Sequence, residues 1–182
     1  MTSAVVLSAG AASLATGCGK PPDTKSEGSV LEALWTVVKG DSARVRGPAT
    51  AEWCDSLRLV QIQSLRGDTG IAIVLYPVKE FGAGRYPVVP PDRADSVPPA
   101  AAVAIRWFAE TSIRGFQGDS GEVVVREDRP GAYAGTFTAR ARSVTDGSRL
   151  TLSGSFGGLT VRPGGRRCVA KPASPDSGRG VD

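Results

Sequence analysis

Ser120 is the first side chain in this sequence that could do chemistry, lying in Gly118-Asp119-Ser120-Gly121, a surrounding that suits a nucleophilic hydroxyl. A serine attacks only when a base takes its proton, and the 182-residue chain contains no histidine. The same absence removes imidazole acid–base catalysis and histidine metal ligation. Asp68-Thr69-Gly70 offers a carboxylate, but acid–base work by a shared proton needs two, and the triplet occurs once. Its aspartate also ends Arg66-Gly67-Asp68, which reads as a Gly/Asp turn between strands. Asp92 with Asp95, and Glu127 with Asp128, come as pairs flanked by arginine, not as the clustered oxygens calcium requires. Hydrolysis of a glycoside needs just two carboxylates at a set distance, and no spacing here singles out a pair. No catalytic residue, metal or cofactor is therefore assigned.

The N-terminus carries a different chemistry. Residues 1–17 contain no charged side chain, then Cys18 arrives, followed directly by Gly19, Lys20, Pro21 and Pro22. The run is too short to span a bilayer and has the length of a signal-peptide core. Leu14-Ala15-Thr16-Gly17-Cys18 resembles the lipobox of bacterial lipoproteins, with Ala15 where leucine is usual. The resemblance implies cleavage before Cys18 and acylation of that residue, so that the chain is held on a membrane by an N-terminal lipid anchor. Gly19 in place of the aspartate of an inner-membrane retention signal points to the periplasmic face of the outer membrane ahead of the inner membrane.

Setting Cys18 aside leaves Cys54 and Cys168, an even pair in an oxidising compartment, and they are expected to form a disulfide. Without histidine the two make a poor zinc site. The resulting organisation is a signal peptide over residues 1–17, a lipidated hydrophilic tether over 18–28, one β-rich domain over 29–170 and a disordered Pro/Ser/Gly tail over 171–182.

Within the domain, Ser29 and Glu32 have capping-box spacing, and Val30, Leu31, Leu34, Trp35 and Val38 share a helical face, which predicts one short helix near 30–39. Trp35 reads as a core anchor. After Cys54 the apolar runs are short and bounded by turn residues. They cover 57–65, 71–76, 102–109 and 122–126, the last entered through a turn at 118–121. The stretch 87–99, with Pro87, Pro90, Pro91, Pro98 and Pro99, reads as an exposed loop. Alternation is clearest in 135–143 and 150–156, which Asp146-Gly147 joins into an antiparallel hairpin. These features predict a mainly β fold, an antiparallel β-sandwich or partly closed barrel with one N-terminal helix. Gly84–Tyr86, Trp107, Gly121–Val125, Gly135-Thr136-Phe137 and Gly154-Ser155-Phe156 together resemble uncharacterised β-rich domains of bacterial lipoproteins.

The net charge is +4, and Arg140, Arg142, Arg149, Arg162, Arg166 and Arg167 bias the C-terminal half. No aromatic stacking platform accompanies them, which argues against nucleic acid. The expected function is a non-enzymatic envelope module that binds a protein, a polysaccharide or a small ligand. The alternatives are a lipocalin-like carrier of an apolar ligand and a carboxylate-dependent hydrolase.

Overall fold

The computed structural model describes residues 28–38, 40, 42–109 and 111–164. The expected signal peptide, most of the tether, Cys18, Cys168 and the tail lie outside the described residues.

Nine strands form one sheet that closes on itself. In chain order they are β1 (Val30–Val37), β2 (Ser42–Cys54), β3 (Leu59–Arg66), β4 (Thr69–Tyr76), β5 (Gly84–Val88), β6 (Ala100–Ala109), β7 (Ser112–Arg129), β8 (Ala132–Ser143) and β9 (Arg149–Pro163). The order around the barrel is β1-β2-β3-β4-β6-β5-β7-β8-β9, with β9 returning to β1. A sandwich would leave sheet edges, whereas closure pairs every edge, so the single barrel replaces the sandwich half of the expectation.

The predicted helix is a strand. Leu31, Ala33 and Trp35 point inward, while Glu32, Leu34 and Thr36 point outward. Because the outward Leu34 is apolar too, the run satisfies helical spacing and strand alternation together. Tertiary pairing decides between them: β1 is laddered to β2 on one side and to β9 on the other. Ser29 caps no helix; its hydroxyl donates to the Gly158 carbonyl at 2.7 Å and its carbonyl accepts from Ala49 N–H at 2.8 Å.

Strand β1 is a wedge. Below Val30 its neighbours β2 and β9 meet directly, in parallel, with Ala51, Glu52 and Trp53 opposite Val161, Arg162 and Pro163. The Gly164 amide then donates to the Trp53 carbonyl at 2.7 Å. A second wedge is β5, which enters between β6 and β7. Those two strands pair from Ala104 to Ala109 and from Ser112 to Gln117, then part, and β7 takes β5 as its partner from Gly121 to Val125.

The interior is apolar and filled by side chains, among them Leu31, Ile62, Ile73, Ile105, Phe116 and Phe137, all fully buried. One end is plugged by aromatic contacts. Trp107 stacks on Phe116 with ring centroids 5.2 Å apart and packs against Trp35 at 5.5 Å. Such rings bury about 150 to 250 Å² each. Trp35 is thus the core anchor its sequence context suggests.

The proline-rich loop is not simply exposed. It folds back over the outer wall, where Ala94 is fully buried with Ala100 and Ala102, against Val74, Tyr76 and Val89. That cover explains why β4 and the first half of β6 are apolar on both faces.

Candidate functional site

The up-and-down course of the strands gives the barrel two unlike ends. Gly28 enters and Gly164 leaves at one end, together with the 55–58, 77–83, 89–99 and 130–131 connections. The opposite end carries four hairpin turns, between β1 and β2, β3 and β4, β6 and β7, and β8 and β9. We call them the entry end and the hairpin end.

Cys54, the last residue of β2, is buried at the entry end, one residue from the Trp53 carbonyl that holds Gly164. Its expected partner, Cys168, follows Gly164 by four residues, a span of up to about 13 Å in extended chain. The described residues end at Gly164, held beside Cys54 by the hydrogen bond to Trp53.

The serine motif is not a turn, as its composition suggests, but the fork at which β7 leaves β6 for β5. A side chain at Gly118 would press on Val88 Cγ1 at 2.9 Å, and the register with β8 slips by one residue between Gly118 and Ser120. Gly121 has φ of 134°, and a Cβ there would overlap the Thr138 carbonyl oxygen. Both glycines are explained by this β-bulge, with no need for an oxyanion site. Ser120 Oγ donates to its neighbour's Asp119 Oδ1 at 3.0 Å.

Asp68 sits exposed at the tip of the β3–β4 turn, its carbonyl accepting from Phe108 N–H at 3.3 Å. Several other carboxylates are occupied locally. Glu127 accepts from Gly131 N–H at 2.8 Å, Asp128 from Arg126 at 3.0 Å and Glu122 from Arg85 at 3.0 Å. Asp146 clasps the β8–β9 turn through Ser148, and hydrogen bonds from Ser143 and Ser148 hold its carboxyl down at about 2. No group of three or more metal-ligating side chains occurs among the described residues.

These placements predict that Ser120→Ala and Asp68→Asn each change stability by no more than about 1.5 kcal/mol, the range of one hydrogen bond. Urea unfolding and a screen with peptide, ester and glycoside substrates check this. Hydrolysis that disappears in either variant would restore these residues as a site.

With its interior filled, the barrel presents its grooves on the outer wall. One of about 430 Å³ lies across β3, β4, β6 and β7, lined by Gln63, Leu65, Ala72, Ala104, Arg106 and Val144. A second, of about 500 Å³, is polar and lies at the entry end beside Gly28, with Arg46, Arg126 and Arg129 on its walls. Sequence reasoning passed over the first groove because its residues come from separate strands. The only local signal was Phe108 in the 102–109 run, a large aromatic that faces outward and is exposed.

The fold and these surfaces define a closed, mostly antiparallel β-barrel with a packed core. The chain matches no family model, no curated protein and no solved structure.

Proposed function

We propose that the chain is a lipid-anchored binding module of the bacterial cell envelope, exported by residues 1–17, acylated at Cys18 and without catalytic activity of its own. The observation that supports this reading most is the entry of the chain at Gly28, exposed beside the fork where β1 wedges between β2 and β9. A tether arriving there leaves the hairpin end free to meet a partner. The filled interior favours binding on the outer wall over carriage of a ligand inside, since a carrier barrel keeps its lumen open. A disulfide between Cys54 and Cys168 belongs to the same reading.

The test is the chemical state of the mature N-terminus. Mass spectrometry of membrane-extracted protein should find a first residue of Cys18 carrying acyl chains, and metabolic labelling with a fatty acid should vanish in Cys18→Ser. A mature chain that begins at Met1, or an unmodified Cys18, ends the lipoprotein reading.

A further inference from the structure

The hairpin end carries a surface that neither the core nor an anchor explains. Along the outer wall, Leu65 pairs with Gly70, Gly70 with Arg106 and Arg106 with Gly115, and Val144 N–H donates to the Gly115 carbonyl at 3.1 Å. The row thus reads apolar, small, cationic, small, apolar. Its glycines make the groove: a methyl on Gly70 would sit 3.4 Å from Arg106 Nε and 3.5 Å from Leu65 Cδ1, and one on Gly115 would meet Val144 at 3.6 Å. One step nearer the rim, Phe108 pairs with Ile113. The four large apolar side chains are largely in water, Leu65 and Val144 at 62% exposure and Phe108 and Ile113 at 56%. Four large exposed apolar side chains gathered around one arginine at one end of a folded domain mark a contact surface.

The charge at this end is lopsided. Arg66, Arg106, Arg142 and Arg149 are exposed and enter no hydrogen bond or ion pair through their side chains among the described residues. Arg142 and Arg149 are direct cross-strand partners with both side chains on the outer face, an arrangement that like charge makes unfavourable. Among the described residues of the four turns the acids are Asp68 and Asp146, and in the sequence Asp41 and Glu110 fall between β1 and β2 and between β6 and β7. An anion laid on this end relieves the repulsion.

We propose that the hairpin end docks on an anionic lipid bilayer, with Arg106, Arg142 and Arg149 on headgroup phosphates and Leu65, Phe108, Ile113 and Val144 at the acyl boundary. A flat surface is the occupant because the apolar groups are spread over three hairpins, β3–β4, β6–β7 and β8–β9, which a plane meets together. A second copy of the chain would bring arginine onto arginine. The proposal does not depend on the anchor. If Cys18 is acylated, the ten residues from Gly19 to Gly28 reach up to about 33 Å, more than the roughly 27 Å of an eight-residue strand such as β3, so the hairpin end can meet the anchoring membrane. A second weak contact on a tethered molecule then acts at high effective concentration.

The test uses the chain from Gly28 to Asp182, which holds all nine described strands and the core they enclose and lacks Cys18, so its outcome is separate from that of acylation. It should sediment with phosphatidylcholine vesicles containing phosphatidylglycerol, not with phosphatidylcholine alone, and salt should release it. The pair R142Q and R149Q should weaken binding about twenty-five-fold, at roughly fivefold for each arginine near an anionic surface. F108S with I113S should weaken it by a similar factor, whereas L57S with V78S, at the entry end, should leave it unchanged. Circular dichroism confirms that these surface variants fold. Failure to bind anionic vesicles, equal binding to neutral ones, or equal loss in the entry-end pair overturns the proposal. Retention on immobilised polyglutamate without vesicle binding also overturns it, assigning the surface to an acidic protein.

Discussion

Gly154→Ala is expected to lower stability by about 3 kcal/mol or more, the upper range for overpacking a filled core. The reason lies in two cross-strand pairs of the β8–β9 ladder, Gly135 with Phe156 and Phe137 with Gly154, in which each ring lies over the glycine opposite. A Cβ on Gly154 would overlap the Glu32 carbonyl oxygen of β1 as well as the Phe137 ring. The ring could turn aside, but the carbonyl belongs to a strand laddered on both sides and cannot. Adding Phe137→Leu should therefore fail to rescue Gly154→Ala, because trimming the ring leaves the backbone overlap and opens a void. Gly157→Ala, in the same strand with nothing within 4 Å of its added carbon, should stay within about 0.5 kcal/mol of wild type. Urea midpoints with unchanged slopes measure all three. A loss below about 1 kcal/mol in Gly154→Ala would mean that β1 and β9 stand farther apart than the ladder implies.

Breaking the proposed Cys54–Cys168 disulfide is expected to cost about 2 to 5 kcal/mol, since it closes a loop of more than about 100 residues. The barrel already closes at that point through the parallel contact of β2 with β9 and the hydrogen bond from Gly164 to Trp53, so the bond would tie ends that lie together in the native state. Its effect would then fall mainly on the unfolded chain. Cys54→Ala should lose the transfer energy of a buried side chain as well, so Cys168→Ser is the cleaner variant. Peptide mapping without reductant should recover the two cysteines joined. Two free thiols in oxidised protein, or a Cys168→Ser chain as stable as wild type, would remove the staple.

What could be read without coordinates depended on how each strand meets water. The β8–β9 hairpin was legible because Phe137, Ala139, Ala141, Leu150 and Leu152 face the core while threonine, serine and arginine face solvent. Strand β2 was not, although it is thirteen residues long. Its inward positions include Gly47, Ala49 and Ala51, too small to register as an apolar face, and Pro48 interrupts the pattern. Small residues stand there for a tertiary reason: a Cβ on Gly47 would already press on Arg66 and Ser64 at 3.1 Å. The β1 segment failed in the opposite way, since its apolar residues fit two periods. Gly118–Gly121 carried the composition of a turn because a bulge at a strand fork needs the same glycines.

By itself the sequence determined the class of secondary structure, the antiparallel habit, the absence of imidazole chemistry and the lipobox-like text around Cys18, all of which are local properties of residue type and order. Tertiary structure alone decided that the sheet closes, that β1 and β5 are wedges, and that Arg106 lies between Gly70 and Gly115 with Leu65 and Val144 on either side. Those neighbours are set by register between strands tens of residues apart, and register follows from how all nine strands share one core. A pattern within any one segment cannot contain it.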